Sequence, residues 1–423
     1  MGEYTRRGSL VLGLGMAVTA CGGGGGSLRT VPMAGGSLTP APDPTPSPSP
    51  KPTAGIGALA RAKGLRFGST FAWSKAGMDA GSFANPSYSA LLERDCTVLV
   101  PENELKWATL RPTATTFDFS RADAMLAYAE EHSMTMRGHN LLWYNEQYDP
   151  AWLGSYDFGA NSEASARAMV RTHVQTVVRH YETRIESWDV VNEAIDPSTG
   201  ALRTNTLARQ VGSDISLLDL AFVTARQELP NAELVYNDFM DVGTPNHRQG
   251  VLMLLRGFRE RGVPVDTLGI QSHLGFHSAD PLDPVQNVVN YNVDNMRTFI
   301  DEVVAMGYKL KVTELDVNDA RRGGTIEQRD FASAAFVRGW LDLMLSYPQT
   351  NEVLVWGMSD RYSWLQNPAF GVRADGLPKR PNPYDSSFTA KPMRQAIADA
   401  FTAMSPRSKG RTTQARQCAE ADY

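Results

Sequence analysis

Two segments of the chain end in a carboxylate after a run of apolar residues, and they are the first candidates for chemistry. Residues 188–193 run from Trp188 through β-branched residues to Asn192 and Glu193, and residues 310–316 end with Glu314 and Asp316. Two carboxylates that meet across a site can hydrolyse a glycosidic bond. One must stay protonated to protonate the leaving oxygen, and the other must be ionised to attack the sugar or to activate water.

Other polar side chains can assist such a pair. Asn192, directly before Glu193, is placed to hold a sugar 2-hydroxyl, a contact that strengthens in the transition state. We expect His273 and Asp316 to form a charged network around Glu314 that keeps its carboxylate ionised.

The pattern between about residues 56 and 402 predicts the scaffold for these side chains. β-branched segments alternate with segments of helical period, and Ser120 with Asp123 resembles a capping box at one helix start. The predicted strands are residues 65–69, 97–101, 134–139, 186–192, 234–237, 267–272, 310–313 and 353–356. This alternation predicts an α/β fold, a (β/α)8 TIM barrel with a single catalytic domain. A doubly wound open sheet is the main alternative, although residues 68–71 lack its usual Gly-rich phosphate loop.

In such barrels the active site lies at the carboxyl ends of the strands. Most of the predicted strands are followed by polar or aromatic residues: Glu102, Asn103, His139, Asn192, Glu193, Asn237, Asp238, Gln271, His273, Glu314, Asp316, Trp356 and Asp360. A purely structural barrel has no reason to collect these residues at one face, so we expect an active site there.

Six segments resemble, in the family's order, the family-10 glycoside hydrolases, which are retaining endo-β-1,4-xylanases. They are residues 101–107, 137–143, 188–193, 269–274, 313–316 and 356–364. The resemblance implies that Glu193 is the acid/base, that Glu314 is the nucleophile and that the substrate is xylan or a xylo-oligosaccharide. It also implies sugar contacts from Glu102, Asn103, Lys106, His139, Trp143, Gln271, Trp356 and Trp364.

Two alternatives stay open. The same chemistry suits another or a decorated β-glycan, and a barrel that has lost turnover would be a surface glycan-binding protein, although both carboxylates and their supporting residues argue against that.

The chain departs from the family at Tyr144, which replaces a histidine, with what looks like one extra residue before Pro150. That histidine normally lies near the acid/base, and tyrosine carries no positive charge at about pH 6. We therefore expect Tyr144 to alter the pH optimum or the subsite preference.

Composition excludes several other kinds of protein. The formal net charge is −5, so there is no basic field that would indicate a nucleic-acid partner. The cysteines Cys21, Cys96 and Cys418 are too few for a disulfide framework, and pairing of Cys96 with Cys418 stays open.

His273 and His277 have a spacing that can bind metal, but no third ligand follows at a telling spacing, so we predict no metal and no cofactor. We expect a monomer.

The two ends of the chain read as targeting and linker segments. Residues 1–21 are predicted to be an export signal with a twin-arginine signature at Arg6 and Arg7. The residues before Cys21 resemble a bacterial lipobox, which implies that Cys21 is lipidated and is the only membrane contact. Residues 22–55 are predicted to be a Gly/Pro-rich disordered linker, residues 56–403 the hydrolase domain and residues 404–423 a disordered tail. We expect an exported protein, periplasmic or at the cell surface, with Tat and Sec export both open.

Overall fold

The computed structural model describes residues 54–212, 214–240, 245–276 and 293–407. Cys21, His277 and Cys418 lie outside these residues, as do the predicted signal and most of the predicted linker and tail. None of the helices in the described residues has the length and apolarity needed to cross a membrane.

The core of the fold is a parallel sheet that closes on itself. Its strands are β1 (Arg66–Phe71), β2 (Val98–Pro101), β3 (Thr135–Met136), β4 (Gly138–Trp143), β5 (Ser187–Asn192), β6 (Glu233–Asp238), β7 (Thr267–Ile270), β8 (His273–Gly275), β9 (Lys309–Asn318) and β10 (Thr350–Val355). The strand order is β3-β2-β1-β10-β9-β7-β6-β5-β4, with β8 paired to β9. Only Arg137 separates β3 from β4 in sequence, so the two ends of this order meet and the sheet forms a barrel.

Helices cover the outside of this barrel. They are α1 (Ile56–Ala62), α2 (Pro86–Asp95), α3 (Trp107–Leu110), α4 (Ser120–Glu131), α5 (Ser162–Tyr181), α6 (Thr206–Gln210), α7 (Ser216–Glu228), α8 (Pro245–Glu260), α9 (Val293–Ala305), α10 (Ile326–Leu345) and α11 (Pro392–Ala403). The apolar stripe of α5, which the sequence shows at helical spacing, is buried throughout. The predicted TIM barrel is therefore confirmed.

Three local predictions were wrong. The strand predicted at 134–139 is divided into β3 and β4 at Arg137. Residue 138 must be a glycine, because a Cβ atom there would lie 2.0 Å from the Trp188 ring. The strand predicted at 310–313 is too short, because residues 316–318 continue it by pairing with β8. Ser120 and Asp123 form no capping box: Ser120 is already helical, and Asp118 accepts its backbone N–H at 3.0 Å.

Buried ion pairs fill part of the barrel interior. The Lys311 ammonium lies 3.0 Å from both Glu352 and Glu233. The Arg137 guanidinium bonds the Asp189 carboxylate at 2.6 Å and lies 3.6 Å from Glu352. Charges this deeply buried are tolerated only when they are paired. Asp189 in turn lies 2.9 Å from Nδ1 of His139, so the network reaches the residues at the mouth of the barrel.

Candidate active site

A cleft of about 480 Å³ opens at the carboxyl ends of the strands. Its lining includes every residue predicted as catalytic or sugar-binding: Glu102, Asn103, Lys106, His139, Trp143, Asn192, Glu193, Gln271, His273, Glu314, Trp356 and Trp364. Three further residues complete the lining and were not predicted from the sequence: Tyr148, Phe239 and Phe370. Asp316 and Tyr144 do not line the cleft.

Glu193 enters the cleft through a sharp change of backbone direction. Strand β5 ends at Asn192, and Glu193 has a φ of +55°, in the left-handed region that non-glycine residues rarely adopt. Its backbone N–H donates to the Asn237 carbonyl at 2.9 Å, and Nε2 of Gln271 donates to its carboxylate at 3.0 Å. Strained backbone of this kind is typical of functional positions.

The environment of Glu193 favours its protonated form. Burial raises the pKa of this carboxyl, and the negative charges of Asp238 and Glu314 add to the rise. Hydrogen bonds from Gln271 and Trp143 oppose it without reversing it. Glu193 is therefore suited to donate a proton.

The environment of Glu314 favours its ionised form. Burial alone would raise its pKa, but a hydrogen bond from His273 and the nearby charge of His139 outweigh burial, and the pKa is lowered. Asn237 Nδ2 also donates to the carboxylate at 2.7 Å. The two glutamates thus have pKa values shifted in opposite directions, which separates an acid from a nucleophile.

His273 and Asp316 form a hydrogen-bonded network beside Glu314. The imidazole Nδ1 lies 2.9 Å from Asp316, and Nε2 lies 3.3 Å from Glu314. Burial lowers the pKa of His273, but the two carboxylates overcome this and raise it to about 10. Trp364 Nε1 donates to the second Asp316 oxygen at 2.7 Å, which fixes the carboxylate. The structure thus brings together the network that the sequence analysis placed around Glu314.

Amide side chains connect the two glutamates. Asn192 Oδ1 accepts from Asn237 Nδ2 at 3.0 Å and from Gln271 Nε2 at 3.3 Å. Since Asn237 also donates to Glu314 and Gln271 to Glu193, the three amides form one hydrogen-bonded chain between the carboxylates. Such a chain fixes the relative positions of the two groups that must act on one bond.

The orientation of the Asn192 amide follows from the donors around it. Reversing the amide would let its oxygen accept from Trp143 Nε1 and its nitrogen donate to the Asn237 carbonyl, each at 3.2 Å, but it would turn that nitrogen towards Asn237 Nδ2 at 3.0 Å. Thr313 fixes the Asn237 amide by donating to its oxygen at 2.7 Å. We therefore place the Asn192 oxygen towards Asn237.

Polar groups from β2 and β4 form another wall of the cleft. Lys106 Nζ donates to Asn103 Oδ1 at 3.2 Å. Burial raises the pKa of Glu102, and the charge of Lys106 opposes that rise. His139 bonds Asp189 through Nδ1, so Nε2 is the ring nitrogen available to a ligand. These side chains can donate to and accept from sugar hydroxyls.

Aromatic rings extend the cleft away from the glutamates. Trp364 packs edge-on against Phe370, with ring centroids 4.2 Å apart, and Trp356 packs against His139 at 5.4 Å. Phe239 directly follows Asp238 at the end of β6, so its sequence position could have identified it. Tyr148 and Phe370 lie in short 3₁₀ turns within loops, whose course the strand and helix patterns do not predict.

Tyr144 does not lie where the sequence analysis expected. Its side chain is completely buried outside the cleft, and its backbone N–H donates to the Asn192 carbonyl at 2.9 Å. Burial raises the pKa of its hydroxyl, which bonds no other group among the described residues. The side chain of Tyr144 is therefore not in the cleft with Glu193, and its expected effect on the pH optimum or the subsite preference stays untested. Trp143, the last residue of β4, faces the cleft, so the next side chain points to the opposite side.

The described residues contain no cluster of three His, Cys, Asp or Glu side chains that could hold a metal ion. Cys96 is a buried free thiol, with Sγ 3.9 Å from Sδ of Met358. Its pairing with Cys418 stays untested, since Cys418 lies outside the described residues.

Comparisons with known proteins agree with this geometry. Exoglucanase XynX of Acetivibrio thermocellus and Endo-1,4-beta-xylanase A of Thermoanaerobacterium saccharolyticum are each 30% identical to this chain over 327 residues, which cover 75% of it. The matches cover 27% and 26% of those proteins, so the chain spans about a quarter of their length. The crystal structure of xylanase 10B from Thermotoga petrophila RKU-1 in complex with xylobiose superposes with a TM-score of 0.71 at 25% identity, covering 84% of this chain and 99% of that chain.

The family assignment rests on most of the described chain. The model of glycosyl hydrolase family 10 matches residues 55–400, which include the whole barrel and every residue of the cleft. This chain belongs to glycosyl hydrolase family 10.

Proposed function

We propose that the protein is a retaining endo-β-1,4-xylanase that hydrolyses internal bonds of xylan. The observation that carries this proposal is that two glutamates joined by hydrogen-bonded amides have pKa values shifted in opposite directions. The pKa of Glu193 is raised and that of Glu314 is lowered. The names of the relatives and the xylobiose bound to the similar structure support xylan as the substrate.

In the first step Glu314 attacks the anomeric carbon while Glu193 gives its proton to the leaving oxygen. The C–O bond to the leaving chain breaks, and an ester bond forms between the sugar and Glu314. Asn192 holds the 2-hydroxyl of the same sugar. His273 stabilises the anionic form of Glu314 before attack.

In the second step water replaces the leaving chain. Glu193, now ionised, takes a proton from the water, whose oxygen attacks the anomeric carbon and releases Glu314. Both substitutions invert the carbon, so the product keeps the β configuration. This chemistry requires the two carboxyl groups to stand about 5–5.5 Å apart.

The remaining polar residues bind the sugars on the side of the nucleophile. Glu102, Asn103, Lys106, His139 and Gln271 supply donors and acceptors for hydroxyls, and Trp356 and Trp364 supply apolar walls. None of these steps uses a metal or a cofactor.

The decisive experiment measures reducing-sugar release from xylan, mixed-linkage glucan and cellulose side by side. We expect xylan to be cleaved fastest, and NMR of the first product to show the β-anomer. Preference for a glucan would contradict the substrate, an initial α-anomer would contradict retention, and binding without release would indicate a glycan-binding protein.

We also propose that the protein is exported and held at the cell surface or in the periplasm by a lipid on Cys21. The support is the residue pattern before Cys21 and the Gly/Pro-rich segment that follows it. Cys21→Ser should abolish incorporation of labelled fatty acid and release the activity from the membrane fraction. We further propose a monomer, which light scattering during size-exclusion chromatography would test.

A further inference from the structure

The loop after β4 is fixed at the rim of the cleft by specific contacts. The Asn145 side chain accepts the Gln147 backbone N–H at 3.3 Å. The Glu146 carboxylate accepts from Arg209 Nη1 at 3.0 Å and from Thr206 Oγ1 at 3.1 Å. These contacts fix a short 3₁₀-helix, Glu146–Tyr148, whose last residue enters the cleft.

Tyr148 lies flat on the indole of Trp143. The two ring centroids are 3.7 Å apart and the rings are inclined by 11°. The Lys106 ammonium lies 4.7 Å from the centroid of the same indole. Since a ring at 3.7 Å covers one face, Lys106 must lie over the other face. Trp143 therefore has no free face for a sugar.

Part of Tyr148 is exposed at the cleft. Its residue exposure is 38%, and it lines the cleft. Because Trp143 covers one face of the ring, a sugar in the cleft would meet the other face or the ring edge. A rigid aromatic face in a cleft is suited to packing against the apolar face of a pyranose ring.

The neighbours of Trp143 show on which side of the bond Tyr148 lies. Lys106 follows β2, whereas Glu146, in the same turn as Tyr148, bonds Thr206 and Arg209 of α6, in the segment that follows Glu193. The indole thus has the β2 side on one face and the Glu193 side on the other. In the proposed reaction Glu193 protonates the leaving oxygen, so groups on its side meet the leaving part of the substrate.

We propose that Tyr148 is the stacking platform for the first sugar on the leaving-group side. The ligand is a β-1,4-linked pyranose residue at the end of the departing chain. This proposal rests on the proposed function, because that function assigns the acid to Glu193. It makes Tyr148 a residue that determines which substrates turn over quickly.

Two substrates distinguish a sugar-binding role of Tyr148 from a structural role. Xylotetraose places a sugar on the leaving-group side, whereas β-xylobiosyl fluoride has only a fluoride there. We expect Tyr148→Ala to lower kcat/KM for xylotetraose roughly tenfold and to leave the fluoride within about twofold, as expected when one leaving-group contact is removed. The high-pH side of the xylotetraose profile should not move, because Glu193 keeps its neighbours.

Two further variants control for the ring and for a general loss of aromatic surface. Tyr148→Phe keeps the face and should retain wild-type activity within about twofold on both substrates. Tyr156→Ala removes a tyrosine of the same 38% exposure that packs on Trp152 and Phe158 outside the cleft, and it should change neither rate.

Other results would overturn the platform. They are equal losses of Tyr148→Ala on both substrates, no loss on xylotetraose, a shifted high-pH limb, or a Tyr148→Phe variant as slow as Tyr148→Ala. A wild-type protein that cleaves neither substrate would overturn the proposed function and the platform with it. A wild-type protein that cleaves both while Tyr148→Ala stays fully active would overturn the platform alone.

Discussion

The Nε2 atom of His273 lies 3.3 Å from a carboxylate oxygen of Glu314. The other ring nitrogen lies 2.9 Å from Asp316, and the pKa of His273 is raised to about 10 although burial opposes the rise. The imidazole is therefore positively charged across the neutral range. This fixed charge allows a buried glutamate to remain ionised.

Removing the charge of His273 should move the low-pH side of the activity profile. Burial would then raise the pKa of Glu314 with less opposition, and in the proposed mechanism Glu314 must be ionised to attack. Activity would consequently fail at a higher pH, with the acid limb of kcat/KM in His273→Asn displaced upward by about one unit or more. The pH dependence of xylan hydrolysis measures this. His180→Asn, on the surface of α5, should leave the limb in place, and an unmoved acid limb in His273→Asn would refute the role.

The charge of Asp238 should affect the high-pH side of the activity profile. In the proposed mechanism Glu193 must be protonated in the first step, and the charge of Asp238 contributes to its raised pKa. Asp238→Asn keeps the shape of the side chain but removes this charge. The pKa of Glu193 should fall, so the basic limb of kcat/KM moves to lower pH. A thermal melt of the variant controls for folding, and a basic limb that stays or rises would contradict the prediction.

Rescue by azide should distinguish the roles of the two glutamates. In Glu193→Ala, β-xylobiosyl fluoride still forms the ester with Glu314, because fluoride leaves with little help from an acid. Azide then attacks that ester and releases β-xylobiosyl azide. In Glu314→Ala no ester forms, and xylan hydrolysis should fall at least about a thousandfold. Azide is then expected to attack α-xylobiosyl fluoride directly and to give β-xylobiosyl azide. Mass spectrometry and NMR identify the products, and a β-azide from Glu314→Ala acting on the β-fluoride would invalidate the assignment.

The ion pairs inside the barrel should matter for stability. Lys311→Met would leave Glu352 and Glu233 buried with one cation fewer, which costs about 3–5 kcal/mol of unfolding free energy. Arg184→Met, which breaks an exposed pair with Glu130, is the matched control and should cost less than about 1 kcal/mol. Urea unfolding measures both, and equal losses would contradict the burial argument.

The barrel and both glutamates could be predicted from sequence because strands have a simple period. A buried strand that ends in polar residues places them at the mouth of a barrel whatever the loops do, and this was sufficient to place Glu193 and Glu314 there. Their separate roles came only from the resemblance to the family. The extension of β9 to Asn318 depends on its pairing with β8, which local propensity does not encode. Tyr148 was not identified because its position depends on a loop fixed by Glu146 and distant side chains.

The orientation of Tyr144 leads to the last prediction. Its hydroxyl is buried outside the cleft and bonds no group among the described residues, so Tyr144→Phe removes a polar atom that gains nothing from burial. The variant should be as stable as the wild type or more stable by about 1 kcal/mol, because an unpaired buried hydroxyl costs roughly that much. Neither limb of the pH profile should move, since no charge near Glu193 changes. Urea unfolding and the kcat/KM profile on xylan measure both effects. A displaced basic limb would show that the hydroxyl does act on the acid, and the residue that replaces the family's histidine would then share its function.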